Sequence, residues 1–213
     1  MNKLNTLTKQ QVQLKSKYTK NINHVLSQAI DQDYKDGQAW YRDARLFAFQ
    51  VSKDYCVSFR KVSAILAALS PRNRWERNKE DCITLIKECQ GFEVNAKYAT
   101  YGAMVSKAKK IYHSKVDSIQ VILKLLNGQK ISAFFLNIYD YQSDCVTVDS
   151  WIQLISLGKY LSVDERPSLK KTEYKLISES IREIAALNKV TPPVMQAILW
   201  CSFKRMIEEK DFN

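Results

Sequence analysis

Leu125-Leu126-Asn127-Gly128-Gln129-Lys130-Ile131-Ser132-Ala133 leads, after a short interval, into Cys145-Val146-Thr147-Val148-Asp149-Ser150-Trp151. The first stretch reads as an apolar helix that stops at Asn127-Gly128 and a second helix that starts at once. In that second helix Ile131, Phe134, Phe135 and Ile138 recur at helical spacing. The second stretch reads as a strand-like apolar run, Val146 to Val148, closed by an aspartate suited to capping the next helix. Lys130 and Asp149 stand 19 positions apart. A helix of that length with a short return can bring an amine and a carboxylate face to face, a pairing that supplies a nucleophile and a charge stabiliser.

Outward from this segment the pattern stays helical. The 213 residues include only 5 Gly and 4 Pro, too few for a turn-rich all-β protein, and 46% hydrophobic content is enough for a buried core. Residues 1–30 carry Lys3, Lys9, Lys15, Lys17 and Lys20 without an acid. Leu14, Tyr18, Ile22, Val25, Leu26 and Ile30 there follow one helical stripe. Gly37 reads as a break before a helix at 38–53. Ser58 caps a very apolar helix that ends at Ser70-Pro71, because the residue before proline avoids the helical region. Helices follow at about 75–89, 102–113, 117–126 and 130–139. After a polar loop from Asp140 to Asp144, further helices are predicted at 150–160 and 168–187. Thr191-Pro192-Pro193 opens the last one. The reading is an all-α protein of about ten helices.

The net charge is +11, from 33 Lys and Arg against 22 Asp and Glu, with a pI near 9.4. That balance points to a polyanionic partner, nucleic acid above all. The longest apolar run, Ala64 to Leu69, is too short to span a bilayer, and the N-terminus lacks a secretory pattern, so an intracellular, cytoplasmic protein is expected. Cys56, Cys82, Cys89, Cys145 and Cys201 are odd in number and scattered, with no CxxC pair. Reduced thiols are expected, and neither a zinc site nor an iron–sulfur cluster. No HExxH, Walker loop, dinucleotide-binding glycine pattern or catalytic triad occurs.

The stretch from Leu126 to Trp151 resembles the helix-hairpin-helix superfamily of DNA glycosylases, the class of endonuclease III and 8-oxoguanine DNA glycosylase. Gly128-Gln129-Lys130-Ile131-Ser132-Ala133 is similar to the end of that family's hairpin and its lysine, and Val148-Asp149 to its valine–aspartate pair. Upstream, Leu69-Ser70-Pro71-Arg72-Asn73-Arg74-Trp75 is similar to the family's L-S-x-Q/N element, which inserts a side chain into the DNA stack. The overlap covers about a quarter of the chain. Leu126 and Asn127 replace the hairpin's proline and first glycine, and Ser150-Trp151 follows the aspartate where the family has Thr or Val and His.

The resemblance implies a single helical unit over 1–213, two lobes with a cleft between them, and a hairpin and catalytic segment at about 117–160. It implies a monomer acting on DNA. Lys130 takes the nucleophile's position and Asp149 that of the shared carboxylate. Arg72, Asn73, Arg74 and Trp75 become DNA contacts, with Gly128 and Gln129 at a hairpin whose amides hold a phosphate, in the family often through a monovalent cation. No cofactor is implied. Each residue also has a plainer reading. Lys130 can be a surface lysine, Asp149 an N-cap, Gly128 a helix C-cap, and Arg72 to Trp75 a surface loop. Trp40, Tyr41, Phe134, Phe135, Tyr139 and Trp151 can line a base pocket or fill the core. A non-catalytic DNA-binding protein on the same scaffold, and a protein-interaction module, are the competing functions.

Overall fold

A computed structural model of the chain describes residues 7–140 and 142–209. Among them ten α-helices and one 3-10 turn (Val163–Glu165) form an all-α fold without a strand. Backbone contacts divide the chain into two compact units. One combines Met1–Tyr41 with Gln142–Asn213 and is termed here the terminal unit; the other, Arg42–Tyr141, is the inserted unit. The segment 117–160 therefore contributes to both.

The inserted unit is organised around α3 (Phe59–Leu69). Every residue from Val62 to Leu69 is buried, so beyond its first turn this helix has no solvent face. Its neighbours are α4 (Trp75–Cys89), α5 (Gly102–His113), α6 (Ile119–Leu126) and α7 (Gln129–Tyr139). The Ser58 hydroxyl accepts the Lys61 amide at 3.3 Å and starts α3; Ser70, before Pro71, ends it. Two polar side chains reach into this core and are hydrogen-bonded there, although Asn78 Oδ1 has no partner among the described residues. Asn78 donates to the Leu66 carbonyl at 3.0 Å, and the buried Asp81 carboxylate takes Arg77 Nε and the Ala99 amide, both at 3.0 Å. Burying that charge is tolerable because it is paired and hydrogen-bonded.

The terminal unit packs α1 (Lys9–Ser27), α8 (Ser150–Leu157), α9 (Lys171–Leu187) and α10 (Pro192–Glu208) around Tyr18, Ile22, Ile155, Ile181, Leu199 and Phe203. The helix α2 (Asp31–Asp54) begins in this unit and continues into the inserted one.

Three sequence expectations are corrected. Gly37 is not a break but an interior residue of α2, and a Cβ there would sit 2.6 Å from the Ile198 Cα on α10. The glycine serves a backbone-to-backbone approach rather than a turn. The first helix ends at Ser27 instead of running to Ile30, which is 48% exposed; Asp33 accepts the Ile30 amide at 3.0 Å and starts α2 instead. Lys3 lies outside the described residues. The helix expected to reach Tyr160 stops at Leu157, where Gly158 turns left-handed (φ 69°).

Candidate functional site

In the terminal unit, Val146, Thr147 and Val148 are buried and pair with no strand among the described residues. The Tyr174 hydroxyl on α9 stands in for one, donating to the Val146 carbonyl at 2.8 Å and accepting the Val148 amide at 3.3 Å. Burial pushes this phenol up to about 12, against the opposing pull of the Val148 amide, so it stays protonated and able to donate. The Tyr41 hydroxyl lies 2.7 Å from Gln196 Oε1 and 3.3 Å from Thr147 Oγ1, a buried polar cluster behind the same run. The run delivers Asp149 to the N-cap of α8. Its Oδ1 accepts the Trp151 amide at 3.0 Å and the Ile152 amide at 2.9 Å. The carboxylate is half-buried at the N-terminal, positive end of α8. Trp151 packs edge-on against Phe203 at 5.9 Å, with the Arg166 guanidinium 5.7 Å from its ring.

In the inserted unit, α6 and α7 are joined by Asn127 and Gly128 alone. Asn127, not Gly128, adopts the left-handed conformation (φ 44°, ψ 55°); Gly128 is extended and opens α7 without a side-chain cap. The Lys107 ammonium donates to the Leu126 carbonyl and closes the end of α6. Gln129 is exposed, and Lys130, the second residue of α7, is half-buried, with no ion pair or hydrogen bond to its side chain among the described residues.

The turn after α3 points its side chains in different directions. Asn73 faces inward, donating to the Leu69 carbonyl at 3.2 Å and to Asp81 at 2.9 Å. Arg72 is exposed, left-handed (φ 56°), and stacked 5.2 Å from the Tyr101 ring; Arg74 is exposed. Trp75 is half-buried and meets Phe47 and Phe134, each with ring centroids 6.4 Å apart. Phe134 lies one helical turn beyond Lys130 on the same face of α7, so the Trp75 and Lys130 motifs adjoin. Asp149 belongs to the terminal unit and Lys130 to the inserted one. A groove of about 610 Å³ along α1, lined by Lys15, Thr19, Lys20 and Glu183 among others, contains none of the predicted residues.

Sequence reading alone missed Tyr174, Gln196 and Lys107. All three act across long sequence separations and carry no local signal. Of the candidate pocket aromatics, Tyr41, Phe134 and Phe135 are core residues, while Trp40, Tyr139 and Trp151 are half-buried.

A family model covers residues 4–207. The chain belongs to DUF7178, a family of unknown function. No curated protein and no solved structure matches it.

Charge in this DUF7178 chain is unevenly divided. The inserted unit holds 17 Lys and Arg against 9 Asp and Glu, a net +8, and the terminal unit 16 against 13, a net +3. Many cations of the inserted unit lie over aromatic rings, including Lys79 over Phe47 and Trp75 and Arg60 over Tyr139. Among the described residues of the DUF7178 chain, no group of three His, Cys, Asp or Glu side chains forms a metal-binding cluster. No helix there is long and apolar enough to cross a membrane.

Proposed function

We propose that this chain is a DNA N-glycosylase with an associated lyase step, in which Lys130 is the nucleophile and Asp149 the electrostatic partner. The observation that carries the reading is the two-residue hairpin between α6 and α7, with Lys130 in its second helix and Trp75 packed one turn further along. Asp149, fixed by two amides at the start of α8, supports it, as does the positive inserted unit.

The target nucleotide leaves the stack. The bond from C1′ to the base breaks, and the base departs with the electron pair and takes up a proton. Asp149 stabilises the positive charge left on the sugar. The Lys130 amine bonds to C1′ and loses a proton as the sugar ring opens to a Schiff base. Loss of the C2′ proton and of the 3′ phosphate then cleaves the strand.

Borohydride trapping on abasic-site duplex tests the lysine. Wild type is expected to form a covalent adduct and Lys130→Ala none; equal trapping by both removes Lys130 as nucleophile. The net +8 of the inserted unit also favours a second reading, a DNA-binding protein without chemistry. Tight duplex binding, with neither trapping nor base release across a panel of modified duplexes, selects that reading.

A further inference from the structure

The second half of α2, within the inserted unit, leaves two large apolar side chains outside. Leu46 is 59% exposed and Phe49 47%. Cations interleave with rings around them. Lys53 Nζ lies 4.5 Å from the Phe49 ring centre, and the Arg45 guanidinium lies 4.7 Å over Phe59. Phe59 meets Phe49 edge-on at 6.2 Å and stacks on Tyr139 at 5.5 Å, with planes 27° apart. Phe135 continues the stack inward at 5.8 Å from Tyr139. The ladder thus runs from a buried ring to an exposed one.

Arg45 Nη1 is buried and makes no hydrogen bond among the described residues. Such a donor forfeits its hydration without a return, so swinging the guanidinium onto an outside oxyanion is favourable. The acids on this face are already engaged. Asp43 pairs with Arg42 at 3.1 Å, and Asp54 accepts from Gln50 at 2.7 Å.

We infer that this face of α2 binds a single strand of nucleic acid, with an unpaired base stacking on Phe49 and the flanking phosphates taken by Arg45 and Lys53. A purely apolar partner would leave the cations unmatched, and an acidic peptide would leave the ring faces unused. A polyanion with π-faces uses both, and only an unpaired base has a face to offer. A base that displaces Lys53 from the Phe49 ring also frees its ammonium for the next phosphate. The inference rests on the nucleic-acid part of the proposed function and not on its chemistry.

The test is fluorescence anisotropy with labelled oligo-thymidylate of about 20 nucleotides, longer than a typical single-strand footprint, and with a duplex of equal length. Phe49→Ala is expected to weaken single-strand binding about 5- to 100-fold, while Phe49→Trp retains it. Arg45→Ala is expected to weaken it and to lower the salt dependence, and duplex affinity is expected to shift by no more than about threefold in these variants. Circular dichroism melts check that the variants fold. Wild-type affinity in Phe49→Ala and Arg45→Ala overturns the proposal, as does the absence of single-strand binding by wild type. Displacement of the strand by poly-glutamate as readily as by unlabelled strand also overturns it, in favour of an acidic protein partner. If the variants behave as expected while borohydride trapping fails, the glycosylase reading falls and this one stands.

Discussion

The helices α7 and α8 start in opposite ways. At α8 the chain arrives through a buried run clamped by the Tyr174 hydroxyl, and Asp149 closes the helix with two hydrogen bonds to its amides. At α7 the chain arrives through a left-handed Asn127, and Gly128 has no side chain to offer the helix. Lys130 then places a positive charge in the first turn, where the helix dipole disfavours it. The start of α8 has a side-chain cap and no cation in its first turn; that of α7 lacks the cap and carries the cation. Local violations of this kind mark places where something other than folding sets the residue. The difference separates a start built to hold a carboxylate still from one whose first amides have no acceptor within the helix.

The largest expected effect breaks the comparison at α8. Asp149→Asn preserves most of the cap geometry and removes the charge. Base excision on a responsive substrate should fall about 100- to 1,000-fold, measured under single-turnover conditions. Asp149→Ala removes the cap as well and should cost a further ~1 kcal/mol of stability in a urea titration.

Next comes the approach to α8. Tyr174→Phe strands a buried carbonyl and a buried amide, so stability should drop by about 1–3 kcal/mol; a change near zero would show that the clamp is dispensable. The same residue gives a pH signature. The folded phenol titrates at about 12 and the unfolded one at its ordinary value near 10, so the unfolded chain loses its proton first. The stabilisation is complete below about pH 10 and is lost as pH rises towards about 12. Alkaline denaturation curves of wild type should be steeper over that window than those of Tyr174→Phe.

Smaller effects sharpen the comparison at α7. Gly128→Asp gives that helix the cap it lacks and should add about 0.2–0.4 kcal/mol of stability, while weakening duplex binding if a phosphate meets these amides. Gly128→Ala should change stability by no more than about 0.5 kcal/mol. Gly128 is extended, and the added Cβ would meet the Ile131 side chain at 3.3 Å and the Leu126 carbonyl oxygen at 3.9 Å, an ordinary contact.

Much of the helical order was legible because its signals are local. Ser58 and Pro71 bracket α3, Thr191 with two prolines opens α10, and the Asn127-Gly128 turn separates α6 from α7. Gly37 misled because a glycine within a helix and a glycine between helices look alike until Ile198 is brought beside it. Val146 to Val148 has the composition of a strand, yet its backbone partner is a tyrosine hydroxyl from α9, which no alternation pattern reveals. At the hairpin, glycine was the natural candidate for the left-handed position, but asparagine also tolerates that conformation and takes it here. Of the candidate site, Asp149 as a cap was fully readable. The inward turn of Asn73 depends on the buried Asp81, eight positions away, and was not.

The terminal unit is assembled from two separated stretches of chain, and contacts such as Thr19 with Ser180 span 161 positions. The inserted unit is continuous and can close around α3 as soon as α7 has been synthesised. On the ribosome, α1 therefore waits with Tyr18, Ile22 and Val25 unpaired until α8, α9 and α10 emerge. Of the two units, the terminal one is the expected client of a holdase chaperone during translation, and a truncation after α7 would leave its apolar stripe permanently without a partner.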